Sequence, residues 1–229
     1  MIVFGSNTNS APSIFWLIYY LLKDKAAYHA IQREVDQVLG PSPDFSNPMT
    51  LDKIEELVGL RSAFREACRL QFGAFISRDL ADDYILQPRI KDKGTGKNQK
   101  FFLPKGTRLM GWSETQHLDE SIYENAREFR WDRFVPNEDG EAPRFFDRNG
   151  RRMSNPALEF GTGSHSCPGR RFIKSESAAY VAILLSRYDL RLVEEEKFRA
   201  APGSEKESIG LGVNNPDRDV FFEIRPRMR

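Results

Sequence analysis

The sequence has 229 residues and a formal net charge of +1, so nothing in its bulk charge draws it to nucleic acid or anionic lipid. A hydrophobic fraction of 40%, with 17 phenylalanines, supplies enough apolar material for a sizeable core. Two cysteines in unlike contexts, Cys68 and Cys167, argue against a disulfide framework and for a reducing compartment.

The first 39 residues read as helical, with a break or kink at Pro12. The apolar run Ile14–Leu22 is nine residues long, against roughly 20 for a bilayer span, and no basic region precedes it; it reads as an internal helix. A second helix is expected from Asp24 to Leu39, with Ala27, Ile31, Val35 and Leu39 on one stripe, ending at Gly40-Pro41. The Pro-rich stretch to Pro48 is a loop, and Thr50 can cap a short helix to Leu57. A further helix carries Leu60, Phe64, Ala67 and Cys68 on one face. From Asp82 the pattern becomes strand-like at Tyr84–Leu86, Lys100–Leu103 and Thr107–Met110, around glycine and proline turns. Ser113 to Gly150 is polar. A glycine-rich loop spans Phe160 to Gly169, a helix follows to about Tyr188, and Val220, Phe222 and Ile224 alternate as a closing strand. The fold class is mainly α with small β-sheets, α+β.

Chemistry concentrates in the loop Phe160-Gly161-Thr162-Gly163-Ser164-His165-Ser166-Cys167-Pro168-Gly169. Pro168 suits a first helical position, which places Cys167 at the cap, where the helix dipole favours a thiolate. Gly161, Gly163 and Gly169 let the backbone turn tightly and approach a flat ligand. His165 is within reach of a ligand carboxylate. On the residues alone, a structural cysteine in a glycine-rich turn remains the alternative. Glu66 and Arg69 form Glu-x-x-Arg, which reads either as a solvated i, i+3 pair worth about 0.2–0.5 kcal/mol or as a buried one. His29 and His117 carry no chemistry that the sequence argues.

Phe160, Gly163, Cys167 and Gly169 fill every fixed position of Phe-x-x-Gly-x-x-x-Cys-x-Gly, and so the chain resembles the cytochromes P-450. The resemblance implies that Cys167 is the axial ligand of haem b iron. It also implies that Glu66, Arg69 and Arg133, the last within Phe129–Phe134, form a buried structural triad. Arg78 and His165 would face haem propionates, and Gly73-Ala74-Phe75-Ile76 would line the substrate pocket. Gly5-Ser6-Asn7-Thr8-Asn9-Ser10 is similar to the family's oxygen-binding turn. There Thr8 stands at the usual acid and Asn9 at the usual threonine, the catalytic positions. With Pro12 and Phe15-Trp16, this pattern is similar to the branch of bile-acid sterol hydroxylases and prostacyclin synthase. Asn9 can hold a water but has no useful acidity, so protons would pass through solvent or substrate. A helix-capping turn is the alternative for these residues, and a surface arginine is the alternative for Arg78.

The resemblance implies residues 1–229 as the C-terminal half of a P-450 domain, starting inside its central helix. The implied activity is monooxygenation of a lipophilic substrate, steroid- or terpenoid-like, with O2 and with electrons from NADPH through a flavoprotein reductase. The implied location of a full-length form is the cytosolic face of the endoplasmic reticulum. The alternatives are a non-redox haem-thiolate isomerase and a truncated or degenerate fragment without activity. For a half-length chain, poor solubility and weak haem binding are expected, because pocket residues such as Phe75, Ile76 and Leu211 would lack a facing wall.

Overall fold

A computed structural model describes residues 2–40, 49–88, 94, 96, 99–193, 202 and 211–227. The expected loop to Pro48 lies mostly outside them, as do the side chains of Gly5-Ser6-Asn7 and Leu211. Among the described residues are six α-helices and seven short strands, all strand pairs antiparallel, an α+β arrangement. The chain divides into a larger unit, residues 1–74 with 113–229, and a smaller one, Phe75–Trp112.

In the larger unit, α1 (Ile2–Lys23) runs through Pro12 without the expected break. Proline removes one helix donor, and the Ser13 hydroxyl beside it bonds the Asn9 carbonyl at 2.6 Å, yet the helix continues, with Trp16 and Leu17 of its next turn buried in the core. α2 (Lys25–Leu39) is capped by the Asp24 carboxylate, which accepts from Ala26 and Ala27 N–H, and closes on Gly40 at φ 81°. Thr50 caps α3 (Leu51–Glu56). α4 (Val58–Gln71) has no capping side chain of its own. Glu34 of α2 supplies one instead, accepting from Gly59 N–H at 2.6 Å and Leu60 N–H at 2.8 Å. A Cβ at position 59 would stand 3.0 Å from Trp131, 3.1 Å from Ile31 and 3.2 Å from the Glu34 carboxylate, so a side chain there would press on all three.

The core lies where α1, α2, α4 and α6 (Arg170–Arg187) meet, around Trp16, Leu17, Ile31, Leu60, Phe64 and Val181. Each of those helices contributes apolar residues at helical spacing, and burying one such side chain is worth about 1.5–3 kcal/mol. The far side of α1 stays open. There Ile14, Phe15, Ile18 and Tyr180 help to line an apolar groove of about 350 Å³. Among the described residues no helix is long and apolar enough to cross a membrane.

The strand β1 (Phe72–Asp79) begins directly after α4, and no strand is legible there in the sequence. Its first three residues pair with β6 (Leu211–Val213) in the larger unit, Gly73 opposite Gly212. The rest pair with β4 (Arg108–Trp112) in the smaller unit, which also holds the hairpin of β2 (Tyr84–Leu86) and β3 (Phe101–Leu103). α6 ends at Arg187, and the chain turns at once into β5 (Tyr188–Leu192), which pairs with β7 (Phe222–Pro226). Arg227 ties this ribbon to α2 through two bonds to the Asp36 carboxylate, at 2.9 and 2.8 Å.

Candidate functional site

Glu66 and Arg69, one turn apart on α4, meet the distant Arg133 inside the larger unit. Glu66 on α4 accepts from Arg69 Nε at 2.7 Å and from a terminal nitrogen of Arg69 at 2.8 Å. It also accepts Arg133 Nε at 2.8 Å. Glu66 and Arg69 are fully buried and Arg133 nearly so, so the solvated-pair reading of Glu-x-x-Arg does not apply. Their remaining donors are used. Arg69 gives its other terminal nitrogen to the carbonyls of His117 and Ala126, the second at 2.7 Å. Arg133 reaches the carbonyls of Glu124, Asn125 and Glu128, and both guanidiniums stand over the Tyr123 ring. Desolvating three charges is repaid only by such saturation, and removing one partner would strand the others at about 3–5 kcal/mol.

His117, at the end of α5 (Ser113–His117), carries this network onward. Its Nε2 accepts the Leu158 N–H at 2.8 Å, so the proton sits on Nδ1, among the Phe72 and Arg69 carbonyls without a well-formed bond. Burial, then the Arg69 charge, push its pKa down to about 4. The ring is thus a neutral structural link. The Leu158 carbonyl in turn accepts Gly161 N–H at 2.9 Å, where the glycine loop starts.

The loop itself is held by backbone bonds. Gly161 and Gly163 have φ of 67° and 70°, a region costly for other residues. A short 3-10 turn (Gly163–His165) follows, and the Cys167 N–H returns to the Phe160 carbonyl at 2.8 Å. The thiol of Cys167 is free and exposed. The expected placement of Pro168 at the first helical position is corrected: α6 starts at Arg170, two residues later. The Arg170 N–H and guanidinium both take the Cys167 carbonyl, at 3.3 and 3.0 Å, which holds Pro168-Gly169 as a turn. Cys167 still stands within one turn of the helix start. Gly169 has φ −80°, so it is not strained open; a Cβ on it would meet the Cys167 Sγ at 3.8 Å.

The other predicted residues are placed as follows. His165 is exposed on the loop and Phe160 is half-buried, with Lys174 Nζ 5.0 Å above its ring. Asn9 is half-buried on α1, where its Oδ1 accepts the Val213 N–H at 3.0 Å, and Thr8 is exposed beside it. Both lie inside α1, not at a capping turn. Gly73 and Ala74 lie on the β6-paired part of β1, with Ser113 Oγ bonded to both Ala74 N–H and C=O. Arg78, Phe75 and Ile76 belong to the smaller unit. There Arg78 is half-buried and donates to the Ser77 carbonyl, and the Phe75 ring lies 4.5 Å from that of Trp112.

Sequence reasoning missed His117, Glu34 and Glu159. Glu159, next to Phe160, is buried and pairs with Arg65 at 3.1 Å; burial, opposed by Arg65, raises its pKa. The signal for it was only its position against the loop.

Among the described residues no three His, Cys, Asp or Glu side chains gather to hold a bare ion. A single exposed thiol at the mouth of a glycine turn instead fits a metal that brings its equatorial ligands with it, as haem iron does. The donor chemistry of this loop therefore fits haem.

The larger unit thus combines a helical core, a buried Glu-Arg-Arg cluster and an exposed cysteine on a glycine-rich loop. The family model of cytochrome P450 matches residues 1–217, and the chain belongs to that family. It is similar to 25-hydroxycholesterol 7-alpha-hydroxylase of Rattus norvegicus, at 28% identity over 99% of this chain and 52% of that protein. It is likewise similar to prostacyclin synthase of Bos taurus and 7-alpha-hydroxycholest-4-en-3-one 12-alpha-hydroxylase of Homo sapiens. Each is 28% identical over 98% of this chain and 44% of its own length. The chain spans about half the length of the curated relatives it matches.

Proposed function

We propose that this chain is the cysteine-bearing part of a haem-thiolate monooxygenase acting on a sterol or similar lipophilic substrate. The observation that carries the proposal is the free, exposed Cys167 thiol, held at the end of a glycine turn by the Phe160 carbonyl one turn before α6. Two of the relatives named above are sterol hydroxylases by name, which supports the substrate class. The chemistry that haem b would supply when held by this chain is the activation of O2. In the reaction one oxygen atom enters a C–H bond of the substrate and the other leaves as water. Two electrons and two protons are consumed, and an NADPH-dependent flavoprotein reductase is the donor.

The chain's residues divide the remaining work. Cys167 would hold the haem iron through its thiolate and lend it electron density. His165 and Arg78 would hold propionates, Arg78 by charge-assisted bonds. Gly73, Ala74, Phe75 and Ile76 give the substrate an apolar wall. Thr8 and Asn9 line the oxygen-handling turn, and neither side chain ionises, so protons reach that turn through water. The Glu66-Arg69-Arg133 cluster holds the loop's footing. The location that goes with this reading is the cytosolic face of the endoplasmic reticulum. A second reading, rearrangement of an endoperoxide without external electrons, draws on the similarity to prostacyclin synthase and on Asn9 itself.

The test is spectroscopic. Haem-loaded protein, reduced and exposed to carbon monoxide, should show the red-shifted Soret band of thiolate ligation, and Cys167→His should abolish it. A spectrum unchanged in Cys167→His would overturn the ligand assignment. NADPH consumption matched one-to-one by hydroxylated sterol would separate the first reading from the second.

A further inference from the structure

α1 grips the segment after Leu211 at two points seven residues apart, two turns along one helix face. At the first, Asn9 Oδ1 accepts the Val213 N–H at 3.0 Å. At the second, Trp16 Nε1 donates to the Asn214 carbonyl at 2.7 Å. The Asn214 N–H completes the seam by bonding the Gln71 carbonyl at 2.9 Å, at the end of α4. The segment so held is β6, whose Gly212 stands opposite Gly73 in the ladder.

A second observation comes from Gly212. Its φ is 136°, and a Cβ built on it would lie 2.2 Å from Asn9 Oδ1 and 3.1 Å from Asn9 Cγ. No side chain of any size fits there while Asn9 keeps its position. The asparagine and the glycine therefore form one device, in which the amide reaches the backbone only because residue 212 has no side chain.

We propose that Asn9 is a positioning residue. Its amide carbonyl clamps Val213 and thereby fixes the Gly73–Gly212 rung of the pocket-lining strand against α1, with Gly212 as its obligatory partner. The consequence for substrate rests on the haem-thiolate reading: the strand that would touch substrate and the turn that would handle oxygen then move together. The clamp itself does not rest on that reading. Its chemistry specifies the side chain. The acceptor must sit at the Oδ1 position, so aspartate preserves it, leucine of similar bulk lacks it, and threonine carries its oxygen one bond nearer the backbone and falls short.

Hydrogen–deuterium exchange on the 229-residue chain tests this without haem. The Val213 amide should be protected. Asn9→Leu and Asn9→Thr should speed its exchange about ten-fold, the loss of one hydrogen bond, while Asn9→Asp keeps it slow. A Val213 amide that exchanges freely in the native chain, or as slowly in Asn9→Leu, would overturn the proposal. A double-mutant cycle gives an independent reading. Gly212→Ala suffers backbone strain in any background, but the clash with Oδ1 exists only when Asn9 is present. It should therefore lower the melting temperature more in the native chain than in Asn9→Ala, and equal shifts would overturn the clamp. If the Cys167 spectrum fails while Val213 protection follows Asn9, the haem reading falls and the clamp stands. The opposite pattern removes the clamp alone.

Discussion

The Glu66-Arg69-Arg133 cluster and the Cys167 loop are built on opposite plans. In the cluster, charged side chains are buried and their donors are aimed at carboxylate or carbonyl oxygens. In the loop, the reactive side chain is exposed and the holding bonds are largely main-chain. The first arrangement spends its polar groups on the protein itself and has nothing left for a ligand. The second leaves its sulfur uncommitted while fixing its position. His117 joins them, taking rigidity from Arg69 and delivering it to Leu158 and the loop's first turn.

The contrast can be broken by removing one side chain from each region. Glu66→Ala should lower the stability of the chain by about 3–5 kcal/mol in urea unfolding, since it leaves two buried guanidiniums unpaired. Cys167→Ala should change it by no more than about 0.5 kcal/mol, as an exposed group does. Equal costs would mean the loop is as deeply built into the core as the cluster.

The link between the two should be pH-sensitive. The folded pKa of His117, about 4, lies below the ordinary 6.5, so the unfolded chain binds the extra proton first. Its contribution is fully present above pH 6.5 and is lost as the pH falls from 6.5 to 4, on the order of 3 kcal/mol in all. Unfolding midpoints measured across that window should fall with pH in the native chain and fall less in His117→Gln.

Smaller effects sharpen the loop's own design. Gly163→Ala should cost about 1–2 kcal/mol from its left-handed backbone alone, because a Cβ there meets nothing within 4 Å. Gly169→Ala, at φ −80°, should cost less than about 0.5 kcal/mol by the same unfolding measurement. Its effect belongs to the space beside the sulfur.

How far the sequence foretold this differs between the two regions. The loop was legible because glycine, proline and cysteine have narrow conformational or chemical uses, and here they stand together around one of only two cysteines. What it did not disclose was the helix start, since the grip of Arg170 on the Cys167 carbonyl outweighs the preference of Pro168 for a first helical turn. Glu66 and Arg69 were legible as a pair, but Arg133 came only from family resemblance, because nothing local marks a contact 67 positions away. His117, Glu34 and Glu159 were silent for the same reason: the partner of each comes from another element. The helices α2 and α4 were readable from their apolar spacing and α3 from its Thr50 cap. β1 was not, because it follows α4 with no breaker between them, and its ladder partners lie far along the chain. At Pro12, the local rule predicted a break or kink; the break does not occur, because the helix residues that follow are held in the core.

The burial of Cys68 has a practical corollary. That thiol is fully enclosed, and burial raises its pKa far above the usual range, so it holds its proton and stays closed to reagents. Cys167, the second of the two cysteines in the chain, is open to solvent. An alkylating dye added to the folded, haem-free chain would therefore tag one known atom. Its rate of attachment would follow occupancy of the loop directly, with no engineered cysteine and no background from the first.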